Sequence, residues 1–198
     1  MSVPRLVLAS ASPARLRLLE TAGIAAEVVV SGVDETVDVP ADPVSQVRVL
    51  AERKARAVAA TLAPGRLVVG CDSMLDVDGE AVGKPASPAE VLSRWGKVAG
   101  RSAVLRTGHC VIDTGTGREA TGVAATTVRF GTPSEAELEA YLATGEPLRV
   151  AGAFTIDGYA APFVEGIDGD PGNVIGLSLP LLRELLAELG EAITELWR

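Results

Sequence analysis

The chain has 198 residues, of which 47% are hydrophobic, and a formal net charge of -8. That is enough apolar material for one substantial core, read here as a single domain over residues 1–198. The acidic balance and the 4% aromatic content exclude a basic track or stacking platform for nucleic acid, so any phosphate ligand has to be met by a few local cations.

Two cysteines, Cys71 and Cys110, and one histidine, His109, leave almost no material for a zinc site or a histidine triad. No disulfide is expected, and any metal must be held by carboxylates. Residues 1–9 are too short an apolar stretch for a secretory signal, and no later run reaches bilayer length, so the expected location is the cytoplasm with no membrane partner.

In chain order, residues 5–9 read as a short buried strand. Ser12-Pro13 then starts a helix, with Ser12 as N-cap and Pro13 at the first helical position, and Gly23 stops it. A strand at 27–30 leads into the polar loop Ser31-Gly32-Val33-Asp34-Glu35, followed by a helix from about 43 to 62 with Gly65 beyond its end. The next strand covers 67–70. Ser87-Pro88-Ala89-Glu90 has capping-box spacing and opens a helix to about 98.

Residues 102–113 and 120–130 are rich in Val and Thr and flank Thr114-Gly115-Thr116-Gly117, which marks an antiparallel hairpin. Thr132-Pro133-Ser134-Glu135 opens a helix ending at Gly145, residues 150–156 read as a strand, and a last helix starts near Ser178. Helices alternating with short buried strands, plus one hairpin, give a mixed-sheet α/β protein.

Four places carry chemistry. Ser10, Ser12 and Arg15 surround a helix N-terminus, where unpaired N–H groups and the dipole favour an anion; the plainer reading is a cap beside a solvated arginine. Lys54 falls on the apolar stripe of Val47, Leu50, Ala51 and Val58, so its stem is buried and its ammonium either snorkels to water or points into a cleft. Asp72 follows an apolar strand, where ligands of open α/β sheets bind or where a carboxylate merely caps a turn; Glu35 supplies a second carboxylate after another strand. Lys84, in Gly83-Lys84-Pro85, sits just ahead of the Ser87 cap. Neither a P-loop nor a dinucleotide fingerprint is present.

Together, Ser10-Ala11-Ser12-Pro13-Ala14-Arg15, Asp34-Glu35, Lys54-Ala55, Cys71-Asp72-Ser73, Gly83-Lys84-Pro85, Ala151-Gly152-Ala153-Phe154 and Asn173-Val174-Ile175-Gly176-Leu177 resemble, in order and over nearly the whole chain, the motifs of the Maf family. The resemblance implies an elongated two-lobed mixed β-sheet with flanking helices and a central cleft, often as a homodimer. It also implies a nucleoside triphosphate pyrophosphatase that releases the monophosphate and pyrophosphate with a divalent metal, Mg²⁺ or Mn²⁺. On that pattern Asp72 is the proton acceptor, Glu35, Lys54 and Lys84 are its catalytic partners, and Ser10, Ser12 and Arg15 contact phosphate. Glu35 and Asp72 would hold the metal. Asp157 stands where many relatives have glutamine, which alters base or phosphate recognition, and Ala14 replaces one of two arginines common in relatives. The alternative is a nucleotide-binding regulator of septum formation with little turnover.

Overall fold

The computed structural model describes residues 5–198; residues 1–4, the start of the stretch weighed above as a signal, lie outside the described residues. Three short runs form the parallel part of one sheet: the buried β1 (Leu6–Leu8), the more exposed β2 (Ala26–Val28) and the first residues of β3 (Leu67–Val77). β1 lies between the other two, with Leu6 opposite Ala26 on one side and Leu67 on the other. The crossovers are α1 (Pro13–Thr21) and α2 (Pro43–Ala59).

Beyond β3 the sheet turns antiparallel. β4 (Glu80–Val82) folds back on the far end of β3, and β5 (Ser102–Asp113), β6 (Glu119–Phe130) and β7 (Val164–Asp168) follow, giving the order β2-β1-β3-β5-β6-β7 with β4 beside β3. The remaining helices are α3 (Pro88–Val98), α4 (Glu135–Ala143), α5 (Pro171–Ile175) and α6 (Leu179–Glu188). The caps read from sequence do their work: Ser12, Ser87 and Ser178 each accept a backbone N–H three residues on, with proline in the first turn. The full capping box belongs to Ser134 and Glu137, two residues later than the Thr132 spacing suggested.

Strand alternation separates the apolar side chains. Leu6, Leu8, Val69 and Val111 pack with Leu19, Leu182 and Leu186 on one face, while Val7, Val68 and Cys110 pack under Ala51, Ala55 and Val58 of α2 on the other. At the opposite end of β3, β5 and β6 a separate core gathers Leu75, Leu105, Val128, Phe130 and Tyr141 around Trp95. The Trp95 ring stands edge-on to Phe130, Tyr141 and Phe163 at centroid distances of 5.6, 6.3 and 5.9 Å. One long mixed sheet thus carries a core at each end, the two-lobed arrangement expected.

Two sequence expectations are corrected here. The strand at 67–70 runs on to Val77, because residues 71–76 keep their pairing with β5 and residues 75–77 pair with β4. Residues 150–156 are not a strand: Ala151–Ala153 form a tight 3-10 turn in which Gly152 and Ala153 take φ of 68° and 61°. A Cβ on Gly152 would lie 2.9 Å from Leu75 Cβ, so this turn seats its bare backbone on the sheet. β4, β7 and α5 were not anticipated. Trp95 is buried, whereas Trp197 is 59% exposed. Both cysteines are buried and free.

Candidate active site

β5 occupies one edge of β3 along almost its whole length. On the other edge β1 pairs with residues 67–69 and β4 with residues 75–77, so residues 70–74 pair with neither. This break is the cleft between the lobes, and Asp72 stands at its centre. Asp72 therefore lies mid-strand and not beyond a strand end, yet the logic of a crevice where neighbouring strands diverge still holds.

Two glycines bring a lysine to that carboxylate. A Cβ on Gly70 would sit 2.4 Å from the Ala51 carbonyl oxygen, and one on Gly108 would sit 2.1 Å from that of Val47. Gly108 is the cross-strand partner of Asp72. With both positions bare, α2 rests directly on the sheet, and Lys54, 7% exposed, reaches Asp72 Oδ1 at 2.5 Å and Glu35 Oε1 at 2.7 Å. Burial pushes the Asp72 carboxyl above the usual carboxylate range, and the charges of Lys54 and Arg15 oppose that rise. Asp72 Oδ2 is buried without a hydrogen-bond partner.

Arg15 is held by neighbouring protein groups. It is buried, and its three guanidinium nitrogens donate to the Gly176 carbonyl at 2.7 Å, Ser10 Oγ at 3.0 Å and Ser73 Oγ at 3.0 Å. Ser73 continues the chain through Thr107 Oγ1, which donates to the Asn173 carbonyl at 3.1 Å. Arg15 thus braces the end of β1, the open edge of β3 and the turn after α5 around the cleft, and adds a positive charge beside it. Ser10 Oγ also accepts the Ser12 N–H, and Ser12 caps α1.

Lys84 is exposed in the loop between β4 and α3, on the side of the break opposite Ser10. Asp157 stands apart: its carboxylate bonds Thr155 Oγ1 and lies 3.8 Å from Arg17 of α1. The structure therefore joins Glu35, Lys54 and Asp72 in direct contact, sets Ser10, Ser12 and Arg15 at one lip and Lys84 at the other, and leaves Asp157 with α1.

Among the described residues no group of three or more His, Cys, Asp or Glu side chains could enclose a metal. The two carboxylates on Lys54, one with an unpartnered oxygen, fit a hard cation that takes one or two carboxylates and completes its shell with water and ligand phosphate.

Sequence reasoning placed Ser73 and Asn173 in family motifs without giving them a role, and missed Thr107 and the use of His109. Asn173 Nδ2 donates to the Leu105 carbonyl and Thr126 Oγ1, which locks α5 against the sheet. His109 is fully buried; its Nδ1 donates to the Thr107 carbonyl and its Nε2 accepts the Ser178 N–H at the start of α6. Burial lowers its pKa to about 4 from 6.5. Because the unfolded chain takes up this proton first, the His109 contribution to stability is complete above pH 6.5 and declines as pH falls towards 4. His109→Gln, which keeps an acceptor and a donor without titrating, is expected to show a shallower fall of Tm between pH 6.5 and 5 than the wild type. Equal slopes would remove His109 as the cause.

An open α/β sheet with a carboxylate–lysine–carboxylate cluster in a strand break defines a class of cleft proteins built for an anionic ligand. A family model described as "Maf-like protein" matches residues 5–189, and the chain belongs to that family. Over 194 residues it is 60% identical to a nucleoside triphosphate pyrophosphatase of Streptomyces coelicolor, covering 98% of this chain and 94% of that protein. A protein of the same name from Streptomyces avermitilis is 58% identical with the same coverage. One from Salinispora tropica is 56% identical over 198 residues, covering 98% of this chain and 87% of the relative.

Proposed function

We propose that this chain hydrolyses nucleoside triphosphates to the monophosphate and pyrophosphate. The observation that carries this reading is the contact of Asp72 and Glu35 with one buried ammonium at the break in β3. The 60% identity to a protein named for that activity supports it.

The reaction adds the oxygen of water to the α-phosphorus, breaks its bond to the bridging oxygen, and sends that electron pair out on pyrophosphate. The water proton goes to Asp72, whose Oδ2 lies buried and unpartnered while Lys54 holds Oδ1. Lys54 keeps Asp72 in place and lends positive charge to the phosphates. Lys84, exposed at the lip and without an ion pair among the described residues, screens the leaving pyrophosphate. Arg15, Ser10 and Ser12 shape the opposite lip, where the Arg15 guanidinium adds positive charge beside the phosphates. Glu35 and Asp72 would hold Mg²⁺ or Mn²⁺, which when bound neutralises phosphate charge.

The test is pyrophosphate release from a panel of ribo-, deoxyribo- and methylated triphosphates, with Mg²⁺, with Mn²⁺ and after chelation. Metal-dependent release ranks the bases and supports the reading. Thermal stabilisation by nucleotide without any product would instead favour the regulator.

A further inference from the structure

Lys84 lies in a loop without regular structure, so something outside the loop has to fix its backbone. Four hydrogen bonds do so, and all converge on two carbonyls and one amide. Arg94 Nη1 donates to the Gly83 carbonyl at 2.5 Å, and Arg94 Nη2 donates to the Lys84 carbonyl at 3.3 Å. The Gly83 oxygen also accepts the Gly152 N–H at 3.0 Å, from the tight turn that replaced the expected strand. Glu90 Oε2 accepts the Ala86 N–H at 2.7 Å, while Glu90 Oε1 pairs with Arg94 one helical turn away.

Arg94 is itself well held. It follows Glu90 on one face of α3, beside Trp95, whose indole N–H donates to the Ala153 carbonyl at 3.2 Å. Its side chain is 13% exposed. An arginine fork can bind two successive carbonyls and one carboxylate together; a lysine cannot. The Lys84 side chain, by contrast, has no ion pair among the described residues.

We infer that Arg94, oriented by Glu90, is a positioning residue for Lys84, fixing the 83–86 loop so that the ammonium stays aimed at the cleft. This rests on the role given to Lys84 under the proposed function. Neither Arg94 nor Glu90 belongs to the candidate site, and Arg94 is assigned no contact with substrate.

The test is a double-mutant cycle on pyrophosphate release with Arg94→Ala, Lys84→Ala and the double variant. Arg94→Ala is expected to lower kcat about ten- to hundred-fold, the range for misplacing a charged group by about 1 Å, with a smaller change in KM. In the Lys84→Ala background the same change should cost less than about two-fold, because the residue it positions is gone. Arg94→Lys should recover only part of the loss. Arg94 borders a cavity of about 160 Å³ lined also by Leu75, Val82, Glu90 and Lys97, so truncation widens an existing space and the variant should fold. If it does not, Glu90→Gln, which retains an acceptor for Ala86 but loses the pairing charge, gives a weaker fall with the same non-additivity. Effects of Arg94 and Lys84 that multiply, or a Lys84→Ala enzyme as active as wild type, would overturn the inference. A wild-type protein that releases no pyrophosphate would overturn the catalytic reading itself, so the two failures are distinct.

Discussion

Asp72→Asn is expected to lower turnover by about two to four orders of magnitude, the usual range for losing a positioned acid or base. The substitution is nearly isosteric, and its amide oxygen still accepts from Lys54, which also keeps Glu35. Burial already disfavours the Asp72 charge, so neutralising it removes a desolvation cost as well as an ion pair, and the two changes oppose each other. Tm should therefore move by only a few degrees while kcat collapses. The experiment pairs pyrophosphate release with thermal melts on one preparation. Near-wild-type turnover from a well-folded Asp72→Asn protein would remove Asp72 as the proton acceptor.

The parts of this site visible in the sequence were those set by local pattern. Lys54 could be found because a charged residue on the apolar stripe of Val47, Leu50 and Val58 has its stem at least partly buried, and here the whole residue is buried. Asp72 stood out as a carboxylate following the buried run Leu67 to Cys71. The caps at Ser12, Ser87 and Ser178 carried the helix starts. What could not be read was cross-chain pairing. Nothing local tells that β1 and β4 share one edge of β3 and leave residues 70–74 open between them. Nor does spacing reveal that Arg15 is consumed by Ser10, Ser73 and Gly176, contacts up to 161 residues away in sequence.

The misread segments have the same origin. Residues 150–156 carry Val, Phe, Thr and Ile, a composition that suits a strand. Gly152 overrides it, because the backbone there has to lie on Leu75 and hand its N–H to Gly83. Local propensity yields to a tertiary seat. Asp157, singled out by comparison with relatives, sits among contacts to Thr155 and Arg17 that no spacing in the sequence shows.

Gly108→Ala tests whether the seat of α2 makes the site. The added methyl would lie 2.1 Å from the Val47 carbonyl oxygen and 2.8 Å from the Arg48 nitrogen, both backbone atoms of a packed helix. Relief requires α2 to lift from the sheet, an overpacking cost of about 3 kcal/mol. For a domain of this size that lowers Tm by about 6–12 °C. Because Gly108 is the register partner of Asp72, lifting α2 also draws Lys54 away from its carboxylates. The fraction that remains folded at low temperature should then turn over about ten-fold more slowly or worse. Gly122→Ala on β6 is the control: its methyl would meet only the tip of the Leu181 side chain at 2.9 Å, which can rotate aside. That variant should keep both Tm and activity near wild type. A Gly108→Ala protein that melts and turns over like Gly122→Ala would mean that the close approach of α2 does not hold Lys54 at Asp72, and the origin of the cluster would have to be sought in the Glu35 loop.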